Sequence, residues 1–142
     1  MPIISVTRLR VRSWMFLPAF LMRALRIGKQ ARNAPGNLGA KVLNDRHRTF
    51  WTCTSWESEA AMRAFMLASP HGPAMRKLLE WCDEASVVHW QQAGSELPGW
   101  TEAHDRMQRE GRTSKVNHPS KDQVRFVIAP PRADRSGDVR LK

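Results

Sequence analysis

Between Phe50 and Phe65 the chain changes from one hydrophobic period to another. Phe50-Trp51-Thr52-Cys53-Thr54-Ser55-Trp56 has the β-branched and aromatic character of a strand. A polar corner follows, with Ser58 placed to cap a helix. Met62, Phe65 and Met66 then recur at i, i+3 and i+4, the spacing of an apolar helix face.

The rest of the first 92 residues extends this pattern. Ile3 to Val11 alternates: Ile3, Ser5, Thr7, Leu9 and Val11 share one strand face, and Ile4, Val6, Arg8, Arg10 and Arg12 the other. Ser13 caps a helical stretch from Trp14 to about Asn33, with Pro18 tolerated near its first turn. Leu38 to Leu43 and Arg48 to Trp56 pair as a hairpin around Asn44-Asp45-Arg46-His47. Pro70 and Pro73 break the second helix. The apolar stripe resumes at Met75, Leu78, Leu79 and Cys82, Asp83-Glu84-Ala85 closes it, and Ser86 to Gln92 forms a last strand. The order is β-α-β-β-α-β. Residues 1–95 therefore make one α+β domain. Residues 96–142 make a C-terminal tail with one mostly polar helix, Thr101 to Glu110, an edge strand at Arg125 to Ala129, and a disordered end after Pro131.

A chain of 142 residues supports one domain with a real core. Cys53 and Cys82 read as reduced, buried thiols. The longest apolar run, Trp14 to Met22, is about half the ~20 residues a membrane span needs, and no secretory leader is visible. The expectation is a cytoplasmic protein, soluble or peripheral to a membrane. Its net charge of +10 is unevenly placed: Arg8, Arg10, Arg12, Arg23, Arg26, Lys29, Arg32 and Lys41 precede Asp45, the first acid. Such an end attracts anions, among them nucleic acid, anionic lipid and acidic ligands. Nucleic acid ranks last, because no recognised binding motif accompanies the charge. Zinc spacing, a phosphate-binding glycine loop, a dinucleotide fingerprint and a G-x-S-x-G elbow are all missing, which sets aside metal hydrolysis and nicotinamide chemistry.

The strand-to-helix corner, with Thr7-Arg8-Leu9-Arg10-Val11-Arg12-Ser13-Trp14, Phe16-Leu17-Pro18 and Trp81-Cys82-Asp83-Glu84-Ala85-Ser86-Val87-Val88-His89-Trp90, resembles the antibiotic-biosynthesis monooxygenases and their heme-binding relatives. Within that superfamily it resembles the branch that includes spheroidene monooxygenase. The resemblance implies a ferredoxin-like βαββαβ fold, assembled as a dimeric α/β barrel. Helices would cover one face of each sheet, and the homodimer partner's sheet the other. It also implies a monooxygenase, heme-dependent or cofactor-free, acting on a large apolar substrate such as a carotenoid. The alternative is a non-catalytic dimer that binds heme or a hydrophobic small molecule.

His71 lies at the helix break in Ser69-Pro70-His71-Gly72-Pro73 and is the first candidate for iron ligation or catalysis. The competing reading is a surface histidine. Met75 falls where the heme-degrading relatives carry a ligating histidine, although its spacing with Leu78 and Leu79 also suits a core. His89 is the second catalytic candidate, its role depending on which face of the last strand looks inward. Trp14, Phe20, Trp51, Trp56 and Phe65 are candidates for an aromatic substrate pocket. Arg10 and Arg12 are candidates to pair with heme propionates. The apolar first helix with its basic second half is a candidate for peripheral contact with an anionic membrane.

Overall fold

A computed structural model of the chain describes residues 1–68, 71–132 and 137–142, and leaves out the side chains of 71–75. Strand β1 (Ile3–Val11) is followed by a 3-10 turn (Trp14–Phe16) and helix α1 (Leu17–Asn33). The Ser13 hydroxyl accepts from the Met15 amide, and Pro18 sits in the first turn of α1. Strands β2 (Asn37–Asn44) and β3 (Thr49–Trp56) form the expected hairpin, with His47 and Arg48 at positive φ in its turn. Ser58 accepts from the Ala61 amide and starts α2 (Glu59–Leu67). Gly36, at φ +83°, lets the chain pass under this helix; a Cβ there would lie 2.6 Å from that of Ala61.

Helix α3 (His71–Trp81) passes without a loop into β4 (Cys82–Gln91). The last strand thus begins four residues before the sequence reading placed it. Asp83 and Glu84, read as a helix-closing pair, instead lie beside β1. There Arg8 donates to Glu84 at 2.6 Å, and Arg10 grips Asp83 through two donors at 3.0 and 2.9 Å. Their charge is matched by β1, and that match admits two acids to the strand.

The described strands form one antiparallel sheet in the order β5-β4-β1-β3-β2-β6, with β1 and β3 at its centre. Its inner four strands have the ferredoxin-like order. The outer two come from the tail: β5 (Arg112–Thr113) pairs with β4, and β6 (Asp138–Arg140) with β2. Two expectations are corrected here. The segment after Pro131 was expected to lack structure, yet its end supplies β6. Gly137 is needed for this pairing, because a Cβ would lie 2.2 Å from the Asn44 carbonyl oxygen. The edge strand expected at Arg125 to Ala129 does not form; α5 (Lys121–Arg125) ends there, closed by Phe126 in the left-handed region.

Helices α1, α2 and α3 lie on one sheet face. The other face is covered by the tail. Helix α4 (Trp100–Glu110) buries Trp100, Ala103 and Met107 against Ile4, Val6, Trp51, Cys53 and Val88. A helix that is polar in bulk covers a sheet here because its few apolar side chains recur at i, i+3 and i+7. Residues 96–142 therefore share a core with residues 1–95. The resemblance assigned this face to a partner's sheet; in this chain α4 and the segment reaching Ile128 lie on it. Among the described residues, no helix is long and apolar enough to cross a membrane.

Candidate functional site

Alternation along β1, β3 and β4 decides what faces the three N-terminal helices. Ser5 is paired with Thr54 on one side and His89 on the other, and Thr7 with Thr52 and Val87. These positions form a polar band. On one side of it Ile3 and Trp56 pack under Met62, with Phe65 and Met66 alongside. On the other side Val11, Cys82 and Ala85 pack under Phe20, with Phe16, Leu17 and Phe50 alongside. The helix-side core is thus two apolar clusters divided by hydroxyls and one imidazole. Placing polar groups under helices is costly unless they find partners. Thr54 has one, the indole nitrogen of Trp56 at 2.8 Å. His89 does not: its Nε2 is fully enclosed with no hydrogen-bond partner among the described residues.

His89 borders a pocket of about 230 Å³, also lined by Ile3, Glu59, Met62, Trp90 and Gln91, between the start of α2 and the end of β4. Burial is the main cause that holds the imidazole below its usual pKa. Arg112 and Arg63 add to the effect, and Glu59 opposes it. A histidine so placed is neutral at pH 7. One ring nitrogen can then accept a proton and the other donate one, and the buried Nε2 has no partner already claiming it.

The other predicted residues are dispersed. His71 opens α3, and its side chain, like that of Met75, lies outside the described residues. Trp14 is exposed, with the Arg48 guanidinium 5.3 Å from its ring. Phe20 packs on Phe50 and Phe65 on Trp56, each pair with ring centroids 5.0 Å apart. Trp51 is on the opposite sheet face, where it meets Trp100 and donates to Asp45 at 3.0 Å. The five aromatic candidates therefore share no cavity. Arg10 is held by Asp83 and Glu84, and Arg12 by Glu80 at 2.8 Å, so both guanidinium groups already have carboxylates. His104 contacts the Ile128 carbonyl at 2.8 Å and His118 the Glu80 carboxylate at 3.3 Å, so each tail histidine has a structural partner.

The described residues do not bring the expected heme contacts together. The pocket at His89 is smaller than the 300–1,000 Å³ typical of larger ligands. The aromatics are dispersed, and the expected propionate partners are engaged. No group of three or more His, Cys, Asp or Glu among the described residues could hold a metal ion. Burial pushes the thiols of Cys53 and Cys82 up to about 12, so neither is a thiolate nucleophile at neutral pH. The hydroxyl band was missed by sequence reasoning. Its signal was there, as Ser5 and Thr7 on one strand and Thr52 and Thr54 on another, each at the two-residue spacing of one face.

None of the curated proteins matches the sequence. Several solved structures share the fold. PA3566 from Pseudomonas aeruginosa superposes with a TM-score of 0.58 at 14% identity, covering 66% of this chain and 95% of that one. A putative antibiotic biosynthesis monooxygenase from Nitrosomonas europaea gives 0.58 at 14%, covering 64% and 89%. SnoaB, a cofactor-independent oxygenase from Streptomyces nogalater, gives 0.53 at 17%, covering 69% and 98%. At such identities the likeness shows the fold alone, the ferredoxin-like fold of the antibiotic-biosynthesis monooxygenases. A family model described as "Domain of unknown function (DUF3291)" matches residues 18–118, and the chain belongs to that family.

Proposed function

We propose that this protein is a cofactor-free monooxygenase for a small, electron-rich ring substrate, with His89 as its base. The observation that carries this reading is a neutral imidazole with a buried, unpartnered Nε2, on a residue that lines a 230 Å³ pocket. The monooxygenase-like proteins among its structural neighbours, one of them described as cofactor-independent, support it as analogy.

The chemistry follows from what a base can do alone. Substrate binding brings an acidic C–H, such as the CH₂ of a keto-tautomer phenol, to His89. The imidazole takes the proton and the carbanion reduces dioxygen. A C–O bond forms, and protonation by the imidazolium gives a hydroperoxide. Loss of water leaves a carbonyl, for the balance CH₂ + O₂ → C=O + H₂O. The substrate supplies every electron. Met62 and Ile3 give the pocket its apolar wall. An apolar cavity of about 150 Å³ accepts benzene, so this one suits one or two fused rings. A carotenoid is far longer than the described pocket. The heme-dependent version, and the branch resembling spheroidene monooxygenase, rest on the sequence resemblance.

The test is aerobic incubation of chelator-treated protein with a panel of bicyclic phenols, reading oxygen uptake and product mass. The expected product has gained one oxygen and lost two hydrogens, with the label of ¹⁸O₂. His89→Gln should lower kcat by the factor of about 10²–10⁴ that general-base catalysis supplies. Saturable binding without oxygen uptake would instead mark a non-catalytic ligand-binding module. A stoichiometric Soret band with added hemin would favour the heme-dependent version.

A further inference from the structure

The outer face of α1 is apolar over its first half, and no described element covers it. Trp14 and Met15 in the preceding turn are 69% and 75% exposed, and Met22 and Leu25 are 59% and 76% exposed. Leu21 is exposed beside them. The inward face is anchored separately, by Phe20 and Ala31. The exposed side chains are therefore not needed to hold α1 on the sheet. Along the same outer surface, one turn further on, Arg26, Lys29 and Arg32 are exposed, and none makes an ion pair with a described residue. At the other end Arg48 sits over Trp14.

We infer that this face of α1 docks onto an anionic lipid surface, with Trp14, Met15, Met22 and Leu25 entering the interface and Arg26, Lys29 and Arg32 meeting headgroup phosphates. Charge selects this occupant. Helix α1 carries no acid, and the sequence holds none before Asp45, so a second copy laid against this face would oppose cations to cations. Nucleic acid matches the charge but leaves four large apolar side chains in water. An anionic bilayer satisfies both: the apolar side chains leave water and the cations lie at headgroup depth. The inference is independent of the reaction proposed for His89.

Flotation of the full chain with vesicles of phosphatidylcholine and phosphatidylglycerol (7:3), against vesicles of phosphatidylcholine alone, tests it. Binding to the anionic vesicles that falls with added salt is expected. Each charge removed in R26Q, K29Q and R32Q should weaken it about fivefold. L25E combined with M22E should abolish it while the circular dichroism stays unchanged, since both side chains are already in water. Absence of flotation on anionic vesicles at low salt would overturn the inference. So would binding that L25E and M22E leave intact, as would a change of oligomeric mass in those variants without vesicle binding, which would mark a self-association face.

Discussion

Trp100 of α4 meets Trp51 of β3 edge to face, with ring centroids 6.4 Å apart and planes at 60°. The contact ties the tail to the centre of the sheet, and the fully buried Met107 extends it about two helical turns further. Met107→Ala should lower stability by about 2–5 kcal/mol, the range for emptying such a site. Thr101→Ala on the exposed side should stay within about 0.5 kcal/mol. Denaturant melts followed by tryptophan fluorescence and by far-ultraviolet circular dichroism should coincide, since one core includes both segments. Two separate transitions would show a tail that folds alone.

Arg8 and Glu84 form a buried pair at 2.6 Å, with the Ser120 hydroxyl donating to Glu84 at 2.7 Å. Burial pushes the Glu84 carboxyl up, but its hydrogen bonds from Arg8 and Ser120 and the charges of Arg8 and Arg10 outweigh that, and the net direction is down. A depressed carboxylate contributes stability above its unfolded value of 4.5 and loses it as pH falls through the folded value. Glu84→Gln should cost about 3–5 kcal/mol at neutral pH, because it leaves Arg8 buried without its counter-charge. The variant should also lose this part of the acid dependence, read from denaturation midpoints at a series of pH values.

The two thiols should be inert. Cys53 and Cys82 are fully buried, and their acidity is suppressed to about 12. Iodoacetamide should leave both unmodified in the native protein at pH 8 and alkylate both in denaturant, as counted by mass spectrometry. Native labelling at the rate of a free thiol would contradict the packing of β3 and β4.

How far the sequence revealed this fold depends on where each residue's partner lies. β1 was legible to the residue because alternation from Ile3 to Val11 is a local signal. So were the caps Ser13 and Ser58, and the polar helix Thr101 to Glu110, found as α4. The start of β4 was not, since Asp83 and Glu84 belong in a strand only through Arg8 and Arg10, more than 70 residues away. β6 was hidden for the same reason: Val139 is half exposed and owes its place to Val42. At the site, His89 was legible as a residue type on a strand but not as a face. The band formed with Ser5 and Thr54 appears only once three strands are in register. The aromatic candidates misled because residue type does not report which side of the sheet a tryptophan occupies, and Trp51 occupies the other one.

Burial of His89 carries a pH signature in stability. Its folded-state proton affinity is lowered, so the unfolded chain binds the proton first as pH falls below 6.5, and stability declines from there towards the folded value. His89→Gln should flatten that part of the profile, and the same denaturation series read between pH 7 and pH 5 shows it.

The most direct test is the state of His89 itself. Its imidazole ¹⁵N and ¹H resonances, assigned by comparison with His89→Gln, can be followed through a pH titration with and without a bicyclic phenol such as 1-naphthol. The account predicts titration below 6.5, a neutral ring at pH 7, and shifts at Nε2 that saturate as the phenol is added. An imidazole that titrates like a free histidine and ignores the phenol would contradict the account.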